Sequence, residues 1–182
     1  MECRGKDVRD KMKNKDILWA PWRVGYIRAL KKEKGCFLCR ATKAKGKDAD
    51  RKNLVLYRGR TAFIVLNLYP YNNGHMMIVP NRHIGDIEML KADEEVEFFS
   101  LIKKSVTILR KTMNAQGFNT GINLGRAAGA GLDTHIHIHL VPRWVGDTNF
   151  MPAACDTKVI SQSLDETYRV LRREFERLEK CT

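Results

Sequence analysis

Three histidines alternate with branched apolar residues in the last third of the sequence. His135, His137 and His139 are separated by Ile136 and Ile138. A repeat of two residues is typical of a β-strand whose two faces differ in character. The three imidazoles are therefore expected on one face, spaced about 6.6–6.8 Å apart along the strand, while the isoleucines enter the core.

The chemistry open to these histidines follows from an ordinary pKa of about 6.5, which leaves the imidazole largely neutral at pH 7. Neutral imidazole is a nucleophile, a base or a metal ligand. Three rings projecting in parallel from one strand converge poorly on one ion, so one histidine joining a metal site completed from elsewhere is simpler. The other two could attack and hold a phosphate, because histidine forms covalent intermediates in group transfer. The alternative is a surface strand with polar residues facing solvent.

A run rich in glycine and alanine leads into the histidine stretch. Gly129, Ala130 and Gly131 carry at most a methyl group as side chain, so their backbone N–H groups are open to an anion. Beyond the histidines, Pro142 is expected to end the strand's hydrogen-bond ladder, because proline has no N–H to donate. A phosphate-binding turn is thus predicted directly before the histidine strand.

A second candidate site is the Cys-x-x-Cys motif formed by Cys36 and Cys39. A redox pair would be expected in a thioredoxin-like unit, between a strand and a helix, and the following sequence predicts no such unit. A metal half-site needs two more ligands, which the histidines could supply. The pair alone leaves a metal half-site and no function equally open. The odd total of five cysteines argues against a disulfide framework.

Composition limits the class of protein. The 182 residues, 43% apolar and 30% charged, predict a single globular domain. No stretch of 18 or more apolar residues and no apolar segment near the N-terminus are present, so we expect no membrane association, no secretory signal and a cytoplasmic location. The net charge of +12 is spread along the chain without a DNA-reading motif. A solvated basic surface that attracts a phosphate-rich small substrate is therefore favoured over nucleic-acid binding.

The remaining sequence predicts an α+β fold with a mainly antiparallel sheet of about five strands and two main helices. Besides the histidine stretch, strands are expected at residues 53–57, 61–66, 75–80 and 118–124. The helices are expected at residues 90–113 and from 159 or 161 to 178. His75 and His83 then lie at strand ends, where functional groups are common.

Other segments carry simpler expectations. Residues 1–16 are predicted to be a flexible basic tail ahead of a single domain at 17–182, and residues 41–53 a surface loop. Residues 18–23, Leu-Trp-Ala-Pro-Trp-Arg, are expected to fold back as an apolar cover. The first helix should bury a stripe of residues spaced by three or four, namely Val96, Phe99, Ile102, Val106, Leu109 and Met113.

Two segments together resemble the histidine triad (HIT) superfamily, over about residues 18–152. Residues 135–141 match the motif His-φ-His-φ-His-φ-φ, in which φ is apolar. Residues 67–80 match the companion pattern Asn-x-x-Pro-x-x-x-Gly-His-x-φ-φ-x-Pro. Residues 18–23, 123–131 and 142–150 are similar to the bacterial branch of diadenosine tetraphosphate phosphorylases.

The resemblance implies a HIT-like fold, a homodimer and a nucleotidyltransferase. His137 would attack the α-phosphate of a dinucleoside polyphosphate and form a nucleotidyl-histidine, from which inorganic phosphate would accept the nucleotide. Diadenosine tetraphosphate would yield ATP and ADP. The resemblance also implies phosphate contacts from His139 and from the backbone of the glycine turn at 129–131. Asn67 would contact the ribose, Asn123 would lie near the phosphates, and His75 would support the site from behind.

One position separates this chain from many small hydrolases of the superfamily. Those proteins carry a glutamine four residues before the first histidine, where this chain has Gly131. The difference disfavours hydrolysis of dinucleoside polyphosphates or nucleoside phosphoramidates, which remains the second candidate function. A non-enzymatic module that binds nucleotides or nucleic acid, suggested by the basic charge, is the third.

A zinc site is also implied by resemblance. Galactose-1-phosphate uridylyltransferases, distant relatives, hold zinc between a Cys-x-x-Cys, a histidine after the central strand and the first histidine of the triad. Cys36, Cys39, His83 and His135 occupy the matching places. A closed set of two thiolates and two imidazoles is expected to be structural, and a metal-free pair of thiols is the alternative.

Overall fold

The computed structural model describes residues 35–148 and 159–180. The predicted tail at residues 1–16 and the cover at 18–23 lie outside the described residues, as do residues 149–158. Within the described ranges, no helix is both long and apolar enough to cross a membrane.

A five-stranded antiparallel sheet forms the centre of the fold, with strand order β1-β2-β3-β5-β4. Its strands are β1 (Val55–Arg58), β2 (Ala62–Leu66), β3 (Met76–Pro80), β4 (Gly117–Ile122) and β5 (Ile138–Arg143). The predicted α+β class and the mainly antiparallel sheet are confirmed. β5 lies between β3 and β4, so the histidine stretch leads into an interior strand.

The two faces of the sheet bury different clusters of side chains. One face packs against α3 (Ala92–Met113) and α4 (Leu164–Glu179), the two main helices. The other face carries a smaller cluster, which is covered by Leu38 and Ala41 of α1 (Phe37–Lys43). Met77 belongs to this second cluster and pairs with His139, so the histidine side chain emerges on the face that the main helices leave open.

The buried stripe predicted for the first helix is confirmed at Leu109, which is fully buried, and at Ile102, Val106 and Met113, which pack partly buried against the core, but it is wrong at its first two positions. Val96 and Phe99 are 72% and 70% exposed. The buried positions of α3 are Glu94, Phe98, Leu101, Ser105, Ile108 and Leu109. At the start of α3 the inward position is taken by Glu94, whose carboxylate accepts two hydrogen bonds from Arg82 at 2.7 Å and one from the Lys91 N–H at 2.9 Å. Glu94 is buried while the Arg82 side chain stays 39% exposed, and sequence periodicity alone did not reveal this ion pair.

The surface loop predicted for residues 41–53 is also wrong. This segment contains the end of α1 and all of α2 (Lys47–Lys52). Asp50 is buried and pairs with the Arg58 guanidinium at 2.6 Å. The same guanidinium donates to the carbonyl oxygens of Ala41 and Ala44 at 2.7 and 2.6 Å. A long-range side chain thus satisfies the end of α1, which local propensity does not predict.

The histidine strand is shorter and shifted relative to the prediction. β5 starts only at Ile138, because the N–H of Ile136 donates to Ile84 at 2.7 Å rather than to a neighbouring strand. Pro142 does not end the ladder, which continues to Arg143. Beyond Leu140, β3 no longer pairs with β5, and the Pro142 carbonyl instead accepts from Asn72 at 3.1 Å. Pro142 therefore lacks its N–H on the β3 side of β5, where no strand needs a hydrogen-bond donor at this position.

Gly74, directly before His75, is the tightest point of the loop between β2 and β3. Its φ of +72° is left-handed, and an added Cβ would lie 2.8 Å from Met113 Sδ and 3.0 Å from Leu109 Cδ2. We expect Gly74→Ala to lower the free energy of unfolding by about 1–2 kcal/mol, measured by urea denaturation. Gly121→Ala is the matched control: no atom lies within 4 Å of its added Cβ, and its change should stay within about 0.5 kcal/mol. Equal effects of the two substitutions would contradict this account.

Candidate active site and metal cluster

The histidines of the triad lie in contact with one another at the start of β5. The His137 and His139 rings meet edge to face, with centroids 4.9 Å apart. His135 is fully buried and His137 is 9% exposed. The alternation seen in the sequence therefore does place imidazoles side by side, although only His139 lies within the hydrogen-bonded strand.

The tautomer of His137 follows from one hydrogen bond. Its Nδ1 lies 2.9 Å from the backbone carbonyl of His135. A carbonyl only accepts, so Nδ1 carries the proton and Nε2 keeps a free lone pair. Burial lowers the pKa of His137 below its ordinary value, and the hydrogen bond to His135 offsets part of this shift. The ring is thus held neutral with Nε2 as its nucleophilic atom.

A relay of hydrogen bonds assigns the tautomer of His139. The backbone N–H of Tyr71 donates to His75 Nδ1 at 3.1 Å, so the proton of His75 is on Nε2. That N–H faces His139 Nδ1 at 3.0 Å, which makes this atom the acceptor. The proton of His139 is therefore on its own Nε2, where it can be donated to an anion. His75 acts on the site through His139 and sets the direction of that donor.

Burial keeps this histidine pair neutral. It lowers the pKa of His75 to about 3, with smaller contributions from His139 and His137. It also lowers the pKa of His139 to about 4, with a smaller contribution from His137. At neutral pH both rings are uncharged, so the directions assigned to their N–H groups hold throughout the range in which the protein is expected to work.

Four side chains at the other end of the triad form a cluster that could hold a metal ion. The potential ligand atoms of Cys36, Cys39, His83 and His135 all lie within 4.8 Å of one another. The His135 Nδ1 atom lies 3.2 Å from Cys36 Sγ, 3.5 Å from Cys39 Sγ and 3.4 Å from His83 Nδ1. The remaining close pair, Cys39 Sγ and His83 Nδ1, is 3.1 Å apart.

Hydrogen bonding prepares His135 to act as a ligand, whereas burial disfavours the thiolate form of Cys39 as long as no cation is bound. His135 Nε2 donates to the Pro80 carbonyl at 3.0 Å, which leaves Nδ1 unprotonated and directed at the cysteines. Burial, followed by the neighbouring Cys36, raises the pKa of the Cys39 thiol. A cation between the sulfur atoms would reverse that preference and stabilise the thiolates.

The structure also places Asn123 and Asn67, the two asparagines that were predicted to contact the substrate. Asn123 directly follows Ile122, the last residue of β4, which pairs with Ile138. Asn67 uses its side-chain oxygen to accept the Tyr69 N–H at 2.9 Å, so its amide nitrogen is the group left for a ligand.

The glycine-rich turn uses two of its predicted anion donors internally. The Gly129 N–H donates to Arg126 O at 2.9 Å and the Ala130 N–H to Gly125 O at 3.3 Å. Gly131 follows the turn and is exposed. The phosphate contacts predicted for residues 129–131 therefore stay a prediction. To bind a phosphate, the N–H groups of Gly129 and Ala130 would have to give up their present carbonyl acceptors.

A cleft of about 500 Å³ opens beside the histidine pair. It is lined by Asn72 together with Pro70, Tyr71, Asn119, Val141, Arg143 and Thr148. The Tyr71 ring stacks on His75 and His139, with centroids 4.7 and 5.9 Å away. On the rim, Asp147 accepts from Arg143 at 2.6 and 2.9 Å, and Asn119 Oδ1 also accepts from it at 2.9 Å.

Sequence reasoning missed Tyr71, Arg143 and the two carbonyls that orient the histidines. The hydrogen bonds that the backbone carbonyls of Pro80 and His135 accept cannot be predicted from residue types, because every residue has such a carbonyl. Tyr71 did carry a weak signal, since it is an aromatic residue in a turn-rich segment four residues before His75. Arg143 lies two residues past the apolar motif, on the face shared with His139, and period-two counting could have placed it.

Comparison with known proteins supplies the family. Residues 49–145 match the HIT domain family. The AP-4-A phosphorylase of Mycobacterium tuberculosis is 37% identical over 178 residues, which cover 96% of this chain and 90% of that protein. The Bis(5'-nucleosyl)-tetraphosphatase [asymmetrical] of Schizosaccharomyces pombe is 30% identical over 93 residues, which cover 51% of this chain and 50% of that protein.

Solved structures agree on the fold. A Zn-bound histidine triad family protein from Mycobacterium smegmatis superposes with a TM-score of 0.63 at 22% identity, covering 81% of this chain and 98% of that chain. The match over more than half of the chain and the extended similarity to the mycobacterial phosphorylase agree with the geometry of the three histidines. The chain belongs to the HIT domain family.

Proposed function

We propose that this protein is a nucleotidyltransferase that cleaves dinucleoside polyphosphates with inorganic phosphate as acceptor, so that diadenosine tetraphosphate and phosphate yield ATP and ADP. The observation that carries the proposal is the neutral His137, whose Nδ1–H is held by the His135 carbonyl at 2.9 Å. Similarity to the AP-4-A phosphorylase of Mycobacterium tuberculosis over 96% of the chain supports the same reaction.

The reaction proceeds in two displacements at one phosphorus atom. The Nε2 lone pair of His137 attacks the α-phosphorus, the bond to the bridging oxygen breaks, and ATP leaves with that electron pair. An oxygen of inorganic phosphate then attacks the same phosphorus of the nucleotidyl-histidine. The nitrogen–phosphorus bond breaks, Nε2 regains its lone pair, and ADP is released.

The other histidines stabilise charge without changing protonation. His139 donates its Nε2–H to a phosphate oxygen, and His75 maintains that tautomer through the 3.0 Å contact. Asn67 contacts the ribose and Asn123 lies near the phosphates. The backbone at Gly129, Ala130 and Gly131 completes the phosphate site, on condition that two of its N–H groups exchange their carbonyl partners for phosphate oxygens.

The four-residue cluster is proposed to bind one zinc ion. Tetrahedral zinc with nitrogen ligands at about 2.0–2.1 Å and sulfur ligands at about 2.3 Å separates neighbouring ligand atoms by about 3.3–3.8 Å. The four close pairs of the cluster, at 3.1–3.5 Å, suit that geometry after small adjustments. Four protein ligands leave no open coordination position, so the ion would be structural. It would fix the position of His135, whose backbone carbonyl accepts the hydrogen bond from the proposed nucleophile His137.

Three further expectations come from sequence and family alone. We propose that the protein acts as a homodimer, that it resides in the cytoplasm, and that residues 17–182 form one catalytic domain behind a basic tail at 1–16. The similarity to the Schizosaccharomyces pombe tetraphosphatase keeps hydrolysis as the alternative reaction. The two reactions differ in their acceptor, phosphate or water.

Replacement of the nucleophile separates catalysis from binding. His137→Ala should reduce formation of ATP and ADP from diadenosine tetraphosphate and phosphate by at least about 10³-fold, because the proposed covalent intermediate forms on His137. Chromatographic product analysis measures the rate, and calorimetry should show affinity within about tenfold of wild type. The control is wild-type enzyme without phosphate: products that include AMP at an undiminished rate would identify a hydrolase. Undiminished turnover by the variant would remove the mechanism.

Metal content tests the cluster. Protein purified without chelator should contain about one zinc per chain by elemental analysis. Cys36→Ser should lose most of it, because one thiolate ligand is removed, whereas Cys155→Ser, at a cysteine to which we assign no function, should retain it. Zinc-free native protein, or equal zinc in the two variants, would exclude the proposed site.

Acid should destabilise the protein through the neutral histidines. The folded His75 and His139 stay unprotonated until pKa values of about 3 and about 4, while the unfolded chain takes up protons near pH 6.5. Between pH 6.5 and about 4 the unfolded state therefore binds more protons, and the free energy of unfolding should fall by about 1.4 kcal/mol per pH unit for each group. Urea unfolding at pH 7 and pH 5 measures this decrease.

His139→Gln serves as the comparison for that titration. The variant removes one of the two groups, so its loss of stability between pH 7 and pH 5 should be smaller by about 1–2 kcal/mol. The metal cluster is the same in both proteins, so its own acid sensitivity cancels in the difference. Parallel pH profiles for the two proteins would show that folding does not lower the pKa of His139.

A further inference from the structure

The residues that line the cleft beside the histidine pair are not those to which the proposed mechanism assigns a function. Tyr71 and Val141 form its apolar walls, and Arg143 and Thr148 lie on its polar side. Asn67, the residue predicted to contact the ribose of the transferred nucleotide, does not line it. A dinucleoside substrate has a second nucleoside, and the residues discussed so far provide no place for it.

The position of the cleft suits the part of the substrate that leaves. Val141 and Arg143 follow His139 on the same face of β5, about 7 and 13 Å along the strand. A polyphosphate chain whose α-phosphate lies at His137 and His139 can span this separation. The nucleoside at its far end would then lie over Val141 and beside Tyr71.

Charge decides between a base and a phosphate as the occupant. Arg143 is the cationic residue among those lining the cleft, and Asp147 binds it through two oxygens at 2.6 and 2.9 Å. This ion pair largely offsets the positive charge, so the cleft offers an anion little attraction. The cleft combines apolar walls with amide groups and with an arginine whose charge is balanced by Asp147. These surroundings suit a flat, neutral heterocyclic base better than a phosphate.

Tyr71 provides the surface for such a ring. Tyr71 is 59% exposed, yet its ring lies against His75 and His139, with centroids 4.7 and 5.9 Å away at tilted interplanar angles of 33° and 35°. An aromatic ring fixed in this way, with its remaining surface available to the cleft, is a preformed stacking platform. Its backbone N–H separately holds His75, so the side chain can be changed while that hydrogen bond is kept.

We propose that this cleft binds the nucleoside of the departing nucleotide, with the base stacked on Tyr71. It rests on the function proposed above, and it makes Tyr71 a specificity-determining residue that favours substrates with two nucleosides. The site would distinguish diadenosine tetraphosphate from adenosine tetraphosphate, which has the same reactive phosphorus and an equally long phosphate chain but ends without a second nucleoside.

The test compares kcat/KM for these two compounds, with phosphate present. Tyr71→Ala should lower the ratio of kcat/KM for diadenosine tetraphosphate to that for adenosine tetraphosphate by about tenfold, the typical loss when one base–aromatic stack is removed. Tyr71→Phe, which keeps the stacking ring, should restore the ratio to within about twofold. Tyr69→Ala, an exposed tyrosine of the same loop that is not a lining residue of the described cleft, should leave the ratio unchanged.

Two kinetic outcomes would overturn the proposal. An equal loss for both compounds in Tyr71→Ala would mean that the ring only supports the histidine pair. An unchanged ratio, or a loss in Tyr71→Phe as large as that in Tyr71→Ala, would remove stacking as the cause of the preference.

Binding measurements keep the proposal testable if the proposed reaction fails. Calorimetry on His137→Ala and on the double variant His137→Ala, Tyr71→Ala should show an about tenfold weaker affinity of the double variant for diadenosine tetraphosphate relative to adenosine tetraphosphate. A wild-type protein that cleaves neither compound but shows this difference would disprove the function and retain the cleft assignment. Equal relative affinities would disprove the cleft assignment whatever the reaction.

Discussion

The hydrogen bond from His137 Nδ1 to the backbone carbonyl of His135 is the contact on which the site depends. It decides which nitrogen of His137, the proposed nucleophile, carries a proton, and it ties that choice to the position of His135. The same His135 directs its side chain at Cys36 and Cys39. One residue therefore links the backbone that orients the proposed nucleophile to a cluster of potential metal ligands.

This coupling explains why a structural ion would be placed so close to a reacting group. His135 is fully buried and donates to the Pro80 carbonyl at the end of β3, which fixes the ring from one side. A metal bound at Nδ1 would fix it from the other. A rigid His135 would leave its carbonyl little freedom, so the proposed nucleophile His137 would be aligned before substrate binds, as preorganised protein sites require.

The sheet separates stability from chemistry by using its two faces differently. α3 and α4 cover one face with the larger core cluster, and the second face leaves His139, Tyr71 and the cleft accessible beside a smaller cluster under α1. Interior strands such as β5 cannot shift register without moving both clusters. His139 thus stands on a rigid strand and His137 directly precedes it, while the loop before Gly74 supplies the Tyr71 ring and the backbone N–H that complete the surroundings.

Local pattern was sufficient for several features of this protein. Alternation of histidine with apolar residues predicted a strand, of which only the part from Ile138 onward pairs in the sheet, and the approximate positions of both main helices and the other four strands followed from hydrophobic periodicity and turn residues. Composition and motif spacing were enough to indicate the family. These features depend on neighbours within a few residues, which a sequence displays directly.

Tertiary structure decided what depends on distant partners. Glu94 faces inward at the start of α3 through its pairing with Arg82, and Arg58 satisfies carbonyl groups at the end of α1, in a segment that was predicted to be a loop. The tautomers of His75, His137 and His139 were set by carbonyl and N–H groups that no residue letter records. The cleft lined by Tyr71 and Arg143 exists only because a loop and two strands meet in space, and such long-range contacts are what a one-dimensional pattern lacks.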